Sequence, residues 1–227
     1  MKLRCKKRVI AMVTAFCMMV FMAGCQKPFD ASGYVKAVLD TMTKGEIQKY
    51  IEFTGAKEEK ANELYEDVLK EEMKPFETLG FSEELQTKYK EYMVNLLKKT
   101  KYEVKEAEQQ EDKSYKVDVE ITPVKMFGGI ESETKQKLQS YVQQVQDNIM
   151  KNQPAPSSEE MTRQIGQILY DSLNSALATL QYASKETITV HVQESKEKNI
   201  YEVKEKDMEK LIPALIDTTG SEEILQF

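Results

Sequence analysis

Three patterns in this sequence predict an α+β fold, an antiparallel sheet of about four strands in two hairpins packed with amphipathic helices. Apolar residues first recur at helical spacing, from Tyr34 to Leu96. The period then drops to two at Tyr115, Val117, Val119 and Ile121, and again at Ile188, Val190 and Val192. A long stretch of helical spacing separates these alternating segments, which predicts a helical hairpin inserted between the strand pairs.

The chain opens with Lys2, Arg4, Lys6, Lys7 and Arg8, followed by a weakly polar to apolar stretch from Val9 to Met22. That stretch falls short of the about 20 residues a transmembrane helix needs, and a positive end before an apolar run is the build of an export signal. Ala23 and Gly24 let a peptidase approach the backbone closely, so cleavage is expected before Cys25. Met22, Ala23, Gly24 and Cys25 resemble the lipobox of bacterial lipoproteins, with methionine where leucine is usual. An ordinary secretory site fits less well, because it needs a small residue three places before the cut.

The resemblance implies that residues 1–24 are a lipoprotein signal peptide that is removed, and that the Cys25 sulfur takes a diacylglycerol. Acyl chains such as palmitate would then hold the mature chain on the extracytoplasmic face of the cell membrane. Two chains anchor stably where one holds reversibly, at about 0.8 kcal/mol per buried methylene. Cys5 and Cys17 lie in the removed segment, so no thiol remains for a disulfide or a catalytic nucleophile. Residues 25–31 read as a lipidated tether and 32–227 as a single α+β extracytoplasmic domain. From Cys25 to Ser32 the tether reaches about 25 Å when fully extended, which keeps the domain near the membrane.

Along the domain, Tyr34, Val35, Val38, Leu39 and Met42 share one helical face. Thr43 with Glu46 reads as a capping box for a short helix ending near Gly55. Ala61, Leu64, Tyr65, Val68, Leu69, Met73 and Phe76 mark a long helix interrupted by Pro75 and closed by Gly80. Leu85, Tyr89, Tyr92, Met93 and Leu96 define the next. The first hairpin pairs the segment 102–107 with 115–122 across the polar turn Gln110 to Ser114.

After Gly128 and Gly129, one helix carries Leu138, Tyr141, Val142, Val145 and Ile149. A second carries Met161, Ile165, Ile168, Leu169, Ala176, Leu177 and Leu180. Two prolines and a Ser157–Glu160 capping box connect them. The second sheet hairpin turns near Lys196 to Asn199, and a last helix spans 208–217. The pentapeptide YEVKE occurs at 102–106 and 201–205, in the first strand of one hairpin and the second strand of the other, which reads as shared strand chemistry.

The arrangement, with the lipobox and the lysine-rich segment YIEFTGAKEEKANELYEDVLK, resembles lipoproteins of Gram-positive bacteria. Their domains are cystatin-like or related to the cone fold of nuclear transport factors, and the resemblance implies an envelope protein without an assigned reaction.

Removal of the signal leaves 27 basic residues against 38 acidic ones, a net charge of −11. An anionic membrane repels such a domain, and nucleic acid is excluded as a partner because phosphate binding needs clustered cations. Arg163 is the arginine that survives processing, so no guanidinium cluster can grip phosphates or carboxylates.

Candidates for chemistry are few. His191, the only histidine, sits on the strand face opposite Ile188, Val190 and Val192 and reads as an exposed strand residue. Glu58-Glu59 and Glu71-Glu72 lack the alternating spacing of a calcium loop and read as solvated helix faces. Gly128-Gly129 has no following Lys-Ser/Thr pair, so it reads as a hinge or turn and not a phosphate loop. Seven methionines survive processing, spread singly, which argues against a metal-binding cluster.

No catalytic residue, metal or cofactor is assigned; Cys25 is the one site residue, for lipidation. The expectation is a non-enzymatic, membrane-tethered binding or protein-interaction module of the cell envelope, whose partner is an envelope protein or a small ligand. A carrier of a small apolar ligand, a solute-binding accessory protein and, further off, a hydrolase are the alternatives.

Overall fold

The structure, a computed structural model, describes residues 29–77, 79–195 and 201–221. The expected signal segment, Cys25 and the expected turn from Lys196 to Asn199 lie outside the described residues. Within them the chain runs through four helices, α1 (Ala31–Lys44), α2 (Ile47–Thr54), α3 (Glu58–Glu77) and α4 (Glu83–Leu97). Four strands follow, β1 (Lys101–Val104), β2 (Glu108–Gln109), β3 (Tyr115–Thr122) and β4 (Val124–Lys125). Then come α5 (Glu131–Met150), α6 (Ser158–Ala176), β5 (Gln181–Tyr182), β6 (Glu186–Glu194) and β7 (Tyr201–Val203). Helix α7 (Glu205–Ala214) and strand β8 (Ile216–Asp217) complete the order. The fold is α+β, with the helical hairpin α5–α6 between the two strand pairs.

The residues gather into two compact units. The first contains the described parts of 29–71, 97–123, 184–195 and 201–216. Its sheet has the order β1-β3-β6-β7, with β2 pairing β3 beside β1. Every pairing is antiparallel, and the central register places Val117 against Val190 and Tyr115 against Val192. Alternation in β3 buries Tyr115, Val117, Val119 and Ile121 and leaves Lys116 and Asp118 exposed, as a half-buried strand requires. Burial of each such aliphatic side chain stabilises the fold by about 1.5–3 kcal/mol.

Helix α1 covers the inner side of this unit through Tyr34, Val35, Val38, Leu39 and Met42, all buried. Asp30 starts the helix by accepting the Gly33 N–H, and Gly45 ends it in the left-handed region at φ 71°. Here the expected Thr43–Glu46 capping box fails. The helix runs through Thr43 to Lys44, so the Thr43 hydroxyl donates to the Leu39 carbonyl at 2.7 Å and Glu46 makes no side-chain cap. The two YEVKE copies form β1 and β7 and lead out of them, so the repeated peptide marks the two outer strands of one sheet.

The second unit contains the described parts of 72–96, 124–183 and 217–221. Leu85, Tyr89, Tyr92, Met93 and Leu96 of α4 are buried as the spacing predicted. The α6 cap holds too, with the Glu160 N–H donating to the Ser157 hydroxyl at 3.1 Å. Gly166 lies against Leu85 and Phe81, where any added Cβ would come within 2.6 Å of both side chains. A three-stranded sheet, β5-β4-β8, was not foreseen, because strands of two residues carry no period. The last helix spans Glu205–Ala214 and not 208–217, since Ile216 and Asp217 are drawn into β8.

Candidate functional site

Five aromatic rings meet at one end of the first unit. Phe29 stacks on Tyr201 with centroids 3.8 Å apart and planes 5° from parallel. It also lies 5.6 Å from Tyr34, 6.0 Å from Tyr115 and 6.3 Å from Phe53. Such offset and edge contacts each add about 0.5–1.5 kcal/mol beyond area burial. Phe29 precedes the α1 cap, Tyr115 begins β3, and Tyr201 begins β7, so the cluster gathers three separate chain segments at the same sheet end. Phe29, which the sequence placed in the tether, is thus part of the packed unit.

His191 lies on the opposite sheet face at this end, in register with Lys116. The face is as expected, but the residue is not a plain exposed one. Its Nδ1 and its backbone N–H both lie 2.8 Å from the Oδ2 of Asp207, a buried residue of α7, and its side chain is 31% exposed. The cause is local. The β6–β7 ladder stops where the chain turns into α7, and the Asp207 carboxylate in the first helical turn takes the strand N–H that loses its partner. A carboxylate only accepts, so Nδ1 carries the hydrogen and Nε2 faces away from Asp207. Both contacts made by its nitrogens go to the Asp207 carboxylate, and among the described residues no hydroxyl or thiol is bonded to the ring.

A second polar cluster ties α1 to the other edge of the sheet. Asp40 is buried at 6% exposure and accepts from Lys36, from Lys44 at 2.6 Å and from the Tyr102 hydroxyl at 2.7 Å. The Lys44 ammonium also sits 5.0 Å from the Tyr102 ring centre, and Thr43 lies 3.0 Å from the tyrosine oxygen. Burial alone would raise the Asp40 pKa. The bonds from Lys36, Lys44 and Tyr102 outweigh it and hold the carboxyl below its ordinary range. Burial and the nearby carboxylate push the Tyr102 phenol well above its ordinary value, so it stays a donor. The sequence signal for this cluster is the spacing of Asp40 four residues from both Lys36 and Lys44, which puts all three on one face of α1.

The remaining candidates settle simply. Glu58 and Glu59 are exposed in the first turn of α3, where a helix favours negative charge. Gly128 and Gly129 form a turn after β4, with the Gly128 N–H on the Lys125 carbonyl and Gly129 at φ 84°. Among the described residues no group of three acidic, histidine or cysteine side chains could hold a metal ion, and no helix is long and apolar enough to cross a membrane. Cys25 lies outside the described residues.

On the hairpin, the expected apolar stripe of α5 is buried only at Leu138. Val142 and Ile149 are exposed, as are Met150 beside them and Ile165 of α6.

No protein-family model and no curated protein sequence matches this chain. Among solved structures it is similar to YcdA of Bacillus subtilis, described provisionally as a lipoprotein, with a TM-score of 0.57 at 16% identity. The likeness covers 84% of this chain and 57% of the other, so this chain spans little over half the length of that protein. At this identity the two share a fold.

Proposed function

We propose that this protein is an extracytoplasmic lipoprotein anchored through a diacylglyceryl Cys25, and that its folded part is a non-enzymatic binding or protein-interaction module. The observation that carries the reading is Met22-Ala23-Gly24-Cys25, placed behind a basic and apolar leader and four residues before Phe29, which packs on Tyr201. The shared fold with a protein provisionally described as a lipoprotein supports it. A helix laid across an antiparallel sheet also suits the cystatin-like or nuclear-transport-factor-like cone that the sequence resembles.

Exposed Val142, Ile149, Met150 and Ile165 favour protein contact over a buried small-molecule site, because apolar groups open to water gain most from being covered. The test is expression of the full precursor and its Cys25→Ala variant in a Gram-positive host fed a labelled fatty acid. The precursor should yield a labelled, shortened, membrane-held form, and the variant an unlabelled and uncut one. A labelled mature form from the variant would overturn the anchor. Envelope proteins co-purifying from detergent with the wild type would support the interaction module, and a stoichiometric small apolar molecule in native mass spectra would replace it with a carrier.

A further inference from the structure

We infer that the aromatic end of the first unit is its membrane-facing surface, and that Phe29 is the pin that keeps it there. The inference rests on the anchoring of Cys25 proposed above and concerns what that anchor does to the folded unit. Only four peptide steps separate Cys25 from Phe29, so the two Cα atoms lie within about 14 Å of each other whatever path the chain takes. A free tether to Ser32 would allow nearly twice that reach. Because Phe29 is held by Tyr34, Phe53, Tyr115 and Tyr201, the point of attachment is a fixed place on the unit and not a loose end.

That place defines an orientation. Tyr115 begins β3 beside Phe29, and β3 then carries the chain about 24 Å to Thr122 at about 3.4 Å per residue. The antiparallel register puts Lys101 next to Thr122, and Glu186 next to Ile121, at the far end. With the lipid-bearing residue confined to within about 14 Å of Phe29, the bilayer headgroups meet the turn 110–114 and the start of β7, while Lys101, Thr122 and Glu186 point away from them. Attraction does not hold this surface down. Glu108, Glu111 and Asp112 are exposed there with Lys113 and Lys116, so within 108–116 acidic side chains outnumber basic ones. The occupant is therefore a lipid headgroup layer brought close by the covalent anchor, with the short pinned tether setting which face it meets.

The test couples the full mature chain, from Cys25 to Phe227, through its single thiol to maleimide-bearing lipid in phosphatidylcholine nanodiscs that contain a paramagnetic headgroup lipid. Amide signals are then compared along β3. Relaxation enhancement at Lys113 and Tyr201 should be several times that at Thr122 and Glu186. A flexible Gly/Ser segment of about 20 residues placed between Cys25 and Phe29, with a root-mean-square reach of about 25 Å, leaves the ring cluster intact and should level the two ends. Phe29→Ala should level them as well. Equal enhancement at both ends of β3 in the parent, or a gradient that survives the inserted segment, overturns the inference. Chemical coupling separates this outcome from the anchor reading: an unacylated Cys25 in cells would remove the lipid occupant, and the nanodisc result alone judges the pin.

Discussion

Strand β3 and helix α5 carry comparable apolar patterns in the sequence, yet they bury very different shares of them. In β3, Val117, Val119 and Ile121 have no exposed surface. In α5, twenty residues bury Thr134 and Leu138, while Val142, Ile149 and Met150 stand at 42%, 49% and 72% exposure. A strand with neighbours on both sides has its side-chain direction set by two ladders, so one face is committed as a whole. A helix buries only what adjacent elements reach, and its period says which residues share a face without saying what covers it. Apolar spacing therefore reports burial in the sheet and only the capacity for it in the hairpin.

Shortening one apolar side chain in each element should separate the two most sharply. Ile121→Ala removes a side chain with no exposed surface and should cost about 2–5 kcal/mol in urea unfolding. Ile149→Ala should stay within about ±0.5 kcal/mol, since the residue is half open to water. A large loss from Ile149→Ala would mean that α5 is covered after all. Hydrogen exchange gives an independent reading: amides of 139–150 should exchange faster than those of β3, and a partner that covers the hairpin should slow them.

The polar groups that fasten α1 and α7 to the sheet should give intermediate effects. Tyr102→Phe takes one donor from buried Asp40 but leaves both lysines, a loss of about 1 kcal/mol. Asp40→Asn removes the charge, and its cost should depend on pH. The carboxyl pKa is lower folded than unfolded, so its contribution is fully present above the unfolded value of about 3.9 and is lost as pH falls through the folded value. Wild type and Asp40→Asn should thus converge in stability on acidification, and a gap unchanged from neutral pH to strongly acid conditions would show that Asp40 adds no charge-dependent stability.

His191→Ala falls in the same range as Tyr102→Phe. It should cost about 0.5–1.5 kcal/mol, because the ring gives up its bond to Asp207 while the strand N–H keeps its own. A fully exposed strand histidine would have cost nothing measurable, and thermal unfolding separates the two.

These cases show what the sequence held. Alternation at 115–121 and 188–192 located the central strands, because period two needs no knowledge of a neighbour. The face of His191 followed from the same count, but its Asp207 partner did not, since a helix start sixteen residues on has no signal in strand periodicity. Thr43–Glu46 matched a cap by spacing and was overruled because α1 continues through Thr43 to Lys44, where the hydroxyl finds the Leu39 carbonyl. The ring cluster around Phe29 was legible only as scattered aromatics, because three of its members come from segments far apart in the chain. Two-residue strands such as β4 and β5 are created by pairing and leave no local trace.

Intact mass of the protein taken from detergent-solubilised membranes tests the central claim most directly. The mature chain should begin at Cys25 and carry the added mass of a diacylglyceryl group on that residue. A chain that begins elsewhere, or one that begins at Cys25 with a free thiol, would contradict the anchor and with it the assignment of the aromatic end to the membrane.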